Sequence, residues 1–341
     1  MLKVYSLRGL STRKSHYFLE YKNNNQVDIN IIKQVRYRIF SYHEASVVKL
    51  ASSKFLILLL FPLLFASCGL PLDSGTPSQT LLPGETSRLF VSKGSSNLMS
   101  NTVILYSHGG PITELDTNYF DDLGASEYHE VYVHQANTIN PSIMTGLKEN
   151  LSFERAKRES EVSVDILERV ARYFKAQGKT VYLVGHSLGA FIIPRLLTRD
   201  ASIVDKVVIA AGRLDIPQVV WQGFRDREPY RFTNGITPVR ATLPEEIPAD
   251  QLGTAYAGLR LQAALGYHRY TEELIGRDLS SVLYVYGLLD EAVGRLTVAE
   301  KSFLGERGAR VVESAGGHGS MLDDGSPSKE SIKDFLGLTA G

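Results

Sequence analysis

Ser187 stands between glycines in TVYLVGHSLGAFIIPRLL, Thr180 to Leu197. A serine hydroxyl attacks an acyl carbon only when a base takes its proton. The spacing G-x-S-x-G does not by itself assign that role, because a chain with 29 Gly produces it by chance. The setting is more specific. An apolar run enters the serine and a helix-forming run leaves it, the strand–turn–helix arrangement of a nucleophile elbow. Gly185 and Gly189 are expected where side chains would collide with the neighbouring strand or helix. Leu188 opens the helix, so its N–H has no partner in the helix and faces developing negative charge.

The chain has eight histidines. His318, in GGHGS just after the last strand-like run, is the expected base, because the glycines let that loop fold over the strand ends. His186 lies inside the elbow and is expected to point elsewhere. His129, His134 and His268 read as surface or packing residues, and His16 and His43 lie far upstream. A carboxylate must then fix the imidazole tautomer. Asp290 follows SVLYVYGLL and is preferred; Asp215 follows KVVIAAGRL and is the rival; Asp323 and Asp324 come after the histidine. Two N–H donors are needed for the oxyanion. SHGGP, Ser107 to Pro111, provides one. Pro111 has no N–H, so Gly110 or Gly109 donates alongside Leu188.

These residues need a frame that brings four distant points together. The β-branched runs at 102–108, 130–136, 180–186, 206–212, 281–287 and 309–316 have the length and flanks of buried strands. Helical patterns lie between them. In 153–177 the residues Val162, Ile166, Val170 and Phe174 form one apolar face, with Gly178 as the stop. Further helices are expected from Ser187 or Leu188 to Thr198, from Glu291 to Glu306 and from Ser328 to Leu336. Alternating strands and helices predict an α/β fold, with a mostly parallel central sheet flanked by helices. Sites in such sheets lie beyond the carboxyl ends of the strands. Residues 213–279 are too long for an ordinary crossover. They hold the turn-rich DREPYRFTNGITP and a helix within 248–268, and read as an inserted helical cap. Trp221, Tyr230, Tyr256 and Tyr267 in that segment suit either a pocket wall or core packing.

In chain order, strand–HGG, strand–GHSLG–helix, strand–Asp and loop–GGHG resemble the α/β-hydrolase superfamily over residues 88–341. GHSLGA is similar to the elbow of lipases, esterases and acyl-transfer enzymes. HGGP is similar to the loop of prolyl-aminopeptidase-like members, but Ile112 stands where they have glycine. The resemblance implies a serine hydrolase acting through Ser187, His318 and Asp290, with Gly110 and Leu188 as the oxyanion hole. An ester of a small or medium acyl group is the expected substrate, and no cofactor is implied. Peptidase, amidase or acyltransferase chemistry on the same site, and a non-catalytic binding module, are the alternatives.

The single cysteine is Cys68. Before it lies FLILLLFPLLFAS, Phe55 to Ser67, preceded by Lys49 and Lys54. That run is short for a membrane span and right for the apolar core of a signal peptide. Together with Ala66, Ser67 and Cys68 it resembles a bacterial lipoprotein signal, although Phe65 stands where leucine is usual. The resemblance implies lipid attachment at Cys68 and a place in the cell envelope. Gly69 points to the outer membrane or its periplasmic face. Residues 47–67 would be the signal peptide, 1–46 a mis-assigned leader or a cytoplasmic tail, and 68–87 a flexible tether rich in Gly, Pro, Ser and Thr.

Charge narrows the remaining classes. The 341 residues carry no formal net charge, but residues 1–54 hold ten Lys/Arg against three Asp/Glu. The rest is acidic by the same margin, which argues against a nucleic-acid partner. No CxxC, HExxH, Walker loop or dinucleotide fingerprint occurs in the sequence.

Overall fold

The computed structural model describes residues 79–144, 151–243, 247 and 251–338. Cys68, the apolar run before it and the leader lie outside the described residues. Among the described residues no helix is long and apolar enough to cross a membrane.

The elements follow in chain order: β1 (Phe90–Ser92), β2 (Thr102–Ser107), β3 (His129–Val133), α1 (Ala136–Ile139), α2 (Phe153–Ala176), β4 (Thr180–His186), α3 (Leu188–Arg199) and β5 (Lys206–Ala210). Next come α4 (Gln218–Arg225), β6 (Tyr230–Thr233), β7 (Thr237–Arg240), α5 (Leu252–Gly266) and α6 (Tyr270–Glu273). The last are β8 (Val282–Gly287), α7 (Val298–Glu306), β9 (Arg310–Ser314) and α8 (Pro327–Leu336).

Seven strands form one sheet in the order β1-β3-β2-β4-β5-β8-β9. Every pairing is parallel except β1 with β3. The six strand-like runs of the sequence all fall in this sheet; β4 spans its run in full, β3 starts one residue earlier and ends earlier, and the others are one to three residues shorter. The fold is therefore the α/β sheet that the alternation predicts.

Alternation along the strands feeds two apolar layers. Val103, Leu105, Val181, Leu183, Val207 and Ile209 face α2 and α3 and join one buried cluster. Ile104, Tyr106, Val184, Val208 and Leu283 point to the opposite face, where Ile332 and Leu336 of α8 cover them. A strand buried on both faces has no polar side, which is why these runs read as continuously apolar.

The segment 213–279 is not purely helical. Between α4 and α5 it forms the β6–β7 hairpin. Asn234 and Gly235 turn that hairpin with φ of 53° and 66°, the left-handed pair a tight hairpin demands. The expected helix from Glu291 also starts late. Residues 291–296 are loop, Gly294 has φ 77°, and α7 begins only after Thr297. There the Thr297 side chain accepts from Glu300 N, and Glu300 reaches back to the Thr297 backbone N–H, a reciprocal cap that fixes the start.

The expected tether is also shorter at its end. Thr80 is buried and its N–H donates to the Glu159 carboxylate on α2 at 3.3 Å. Arg169 donates to Pro83 O at 2.9 Å and to Thr86 Oγ1 at 3.0 Å. Packing of the chain on α2 thus begins by Thr80 and not at Arg88, because the buried Glu159 and the half-buried Arg169 of α2 pair with its backbone groups.

Candidate active site

Strands β2, β4, β5, β8 and β9 all end on the same edge of the sheet. On that edge β4 turns at Ser187, which has φ 54° and ψ −115°. A non-glycine residue in this region costs on the order of 1–3 kcal/mol and persists only where its surroundings enforce it. Here Ser187 N donates to Ala210 O, and Gly189 N donates to His108 O, each at 3.1 Å. The flanking glycines are sterically required. A Cβ on Gly185 would lie 2.8 Å from Gly189 O, and one on Gly189 would overlap Ser107 O.

The structure brings Ser187, His318 and Asp290 into one hydrogen-bonded chain. His318 Nε2 lies 2.8 Å from Ser187 Oγ. His318 Nδ1 lies 2.9 Å from Asp290 Oδ2. The Asp290 carboxylate is buried, and its other oxygen accepts from Ala292 N and Val293 N at 2.9 Å each. A carboxylate facing Nδ1 assigns the proton to that nitrogen and leaves Nε2 as the acceptor for the serine hydroxyl. The rival Asp215 is engaged elsewhere: it accepts from Thr271 N at 3.3 Å and from the Thr271 hydroxyl.

The HGG loop lies beside this chain. A Cβ on Gly109 would come within 3.2 Å of Ser187 Cβ. Gly110 has φ 153°, and a Cβ there would be 2.8 Å from Ile112 N, so both positions exclude side chains. Gly110 and Leu188 line a cavity of about 250 Å³ together with Ser187 and His318. Phe191 and Phe224 supply its aromatic wall. Ile216, Val220, Phe224 and Gln262 of that wall come from segment 213–279. None of Trp221, Tyr230, Tyr256 and Tyr267 lines the cavity. Trp221 and Tyr267 instead pack around Phe153, at ring distances of 6.3 Å and 6.2 Å. Among the described residues no group of three or more His, Cys, Asp or Glu converges as a metal site would require.

A family model described as "Alpha/beta hydrolase family" matches residues 104–330. The chain belongs to this family. No curated protein matches it in sequence. Among solved structures it is similar to MGS-M2, an alpha/beta hydrolase enzyme from a Medee basin deep-sea metagenome library. That match has 14% identity and a TM-score of 0.49, and covers 74% of this chain and 94% of the other. It is also similar to MenH from S. aureus, with 14% identity, a TM-score of 0.44 and coverage of 73% and 98%. For the enol-lactonase from Burkholderia xenovorans LB400 the values are 15% identity, a TM-score of 0.45 and coverage of 73% and 96%.

Behind the serine of this alpha/beta hydrolase lies a second layer that its sequence does not reveal. His186 is buried, and its Nε2 is 3.0 Å from the backbone carbonyl of His318. A carbonyl only accepts, so Nε2 carries the proton and Nδ1 is the acceptor. Tyr119 Oη, 2.7 Å from that Nδ1, is then the donor. Both groups are held in the form this needs. Burial and then the neighbouring His318 push His186 down to about 4. Burial pushes the Tyr119 hydroxyl up to about 12. The Tyr119 hydroxyl also occupies the space that a side chain on Gly109 would take.

The remaining histidines of the alpha/beta hydrolase fall outside the site. His129 is buried 2.8 Å from Ser92 Oγ. His134 Nδ1 meets Thr138 Oγ1 at 3.0 Å. His268 is buried 2.7 Å from Glu273 Oε1. His108 is fully buried, and its carbonyl accepts from Gln135 Nε2 at 2.8 Å as well as from Gly189 N. It ties the HGG loop to the elbow through its backbone.

Proposed function

We propose that this alpha/beta hydrolase is a serine esterase that cleaves a carboxylic ester through a covalent acyl-enzyme. What supports the reading is the chain of contacts Ser187 Oγ–His318 Nε2 at 2.8 Å and His318 Nδ1–Asp290 Oδ2 at 2.9 Å. Ser187 attacks the ester carbon while His318 takes the hydroxyl proton. The backbone N–H groups of Leu188 and Gly110 hold the oxyanion, and Asp290 stabilises the imidazolium that forms. His318 then returns the proton to the departing alcohol. Water deprotonated by His318 attacks the acyl-enzyme, and the acid leaves as Ser187 recovers its proton. Stabilisation of the oxyanion by one such donor is worth about 3 kcal/mol of barrier. An apolar wall of Phe191, Val220 and Phe224 suits a small or medium acyl group.

The test is a panel of esters, thioesters and amides assayed on the full chain beside Ser187→Ala. Ester hydrolysis that disappears with the serine supports the reading. Hydrolysis that survives Ser187→Ala, or a preference for amides, contradicts it.

The place of action rests on sequence alone. Cys68, after its apolar run, supports lipid attachment and a site at the bacterial envelope. Fractionation of cells making the wild type and Cys68→Ala tests this. Membrane association that does not depend on Cys68 contradicts it.

A further inference from the structure

Gly258, Gln262 and Gly266 follow at four-residue spacing on α5, which puts them along one edge of the helix. A Cβ on Gly258 would touch Pro111 Cγ at 3.4 Å, and one on Gly266 would touch Ile216 Cγ1 at 3.3 Å. This edge therefore runs from the HGGP loop to the loop after β5. Gln262, between the two glycines, lines the cavity over Ser187.

The cavity's chemistry is lopsided. Apart from Ser187 and His318, Gln262 brings the only polar side chain among its described lining residues. No Lys, Arg, Asp or Glu is among them. The Gln262 amide has no hydrogen-bond partner among the described residues. Gln262 is half-buried, so solvent satisfies its amide until a substrate displaces it. A substrate that then offers no partner leaves the amide unsatisfied, and an ionised group brought there without a counter-ion is far more unfavourable. An amide both donates and accepts, so it can pair with a hydroxyl or an amide on the substrate through either group, and with a ketone through its N–H.

We propose that the ester accepted here is uncharged, that its buried part is mainly apolar, and that this part carries one neutral hydrogen-bonding group which pairs with Gln262. This rests on the esterase reading of Ser187. A site that presents an unpaired amide discriminates against a substrate lacking the matching group, because binding that substrate leaves the amide unsatisfied.

The experiment uses esters with a common leaving group and short acyl chains. One set is unsubstituted, one carries a hydroxyl at successive carbons, and one ends in a carboxylate. A parallel set places the hydroxyl on the alcohol side. For the wild type, at least one hydroxylated ester should exceed its unsubstituted partner in kcat/KM by about tenfold. The carboxylate esters should fall below the unsubstituted ones by about a hundredfold or more. Gln262→Leu should reverse the first preference by slowing the hydroxylated ester and speeding the unsubstituted one. Gln262→Glu should shift preference toward an amino-substituted ester. The idea is overturned if the wild type hydrolyses all sets alike or prefers the carboxylate. It is also overturned if the hydroxyl preference persists in Gln262→Leu. The wild-type preferences alone decide the matter if the variants do not fold. Failure of the underlying reading looks different: no ester is then cleaved in a manner that depends on Ser187.

Discussion

The His186 ring donates from Nε2 to the backbone carbonyl of His318 at 3.0 Å, and the two rings lie 5.1 Å apart. The residue just before the serine thus holds the loop that carries the imidazole. Tyr119 fixes the tautomer from the other side of the ring. The orientation of His318 is thus tied to a layer behind the serine, and neither His186 nor Tyr119 lines the cavity over Ser187.

Two substitutions probe that layer. Tyr119→Phe removes the donor to Nδ1, and His186→Leu removes the donor to the His318 carbonyl. Each should lower kcat by about tenfold to a hundredfold with KM little changed, since misplacement of a reacting group acts on the chemical step. His186→Gln keeps an N–H at the corresponding reach and should recover part of the loss. Steady-state kinetics of the three variants checks this. A rise in KM with kcat intact would assign His186 to substrate binding instead.

Acid should destabilise the fold through the same residue. An unfolded chain protonates His186 near its ordinary 6.5, whereas the folded chain resists until about 4. Within that window the unfolded state binds more protons, so stability falls as the pH drops. The full effect, about 3 kcal/mol, is reached below the folded value. Above 6.5 this residue contributes no pH dependence. Burial shifts His108, His129, His134 and His268 in the same direction and steepens the fall. Urea midpoints across the window should decline with acid, and less steeply in His186→Gln. A midpoint that stays flat or rises with acid would refute the account.

The two carboxylates should separate cleanly. In Asp290→Asn the amide oxygen keeps the Ala292 and Val293 N–H groups, and the amide N–H₂ turns to His318 Nδ1. His318 must then carry its proton on Nε2 and cannot accept from Ser187. The expected loss in kcat is about 10⁴. Asp215→Asn weakens only the bonds to Thr271. It should cost about 1 kcal/mol of stability with kcat near the wild-type value. Comparable loss of kcat in both variants would mean that the roles are wrongly assigned.

The convergence of Ser187, His318 and Asp290 was legible because these residues sit where local and tertiary rules coincide. A strand that ends in Gly-His-Ser-Leu-Gly can turn only one way, and the glycines show it. Asp290 and His318 follow strands whose apolar runs are unmistakable. The elements that were missed lack such signals. Strand β1 has three residues, too few for a period, and exists because β3 offers an unpaired edge. The β6–β7 hairpin was announced by Asn234-Gly235, but its flanks do not alternate cleanly. The start of α7 at Thr297 was written in Thr297 and Glu300, and the apolar residues upstream obscured it. Tyr119 is 67 residues from His186, and only the folded sheet relates them. Gln262 looks like an ordinary helix residue until the cavity beside it is seen.

The most direct test of the whole account is labelling of the full chain with a fluorophosphonate, followed by peptide mass mapping. The account predicts one adduct, on Ser187, that fails to form in Ser187→Ala and forms far more slowly in His318→Ala. An adduct on another residue, or no adduct on folded wild-type protein, would contradict it.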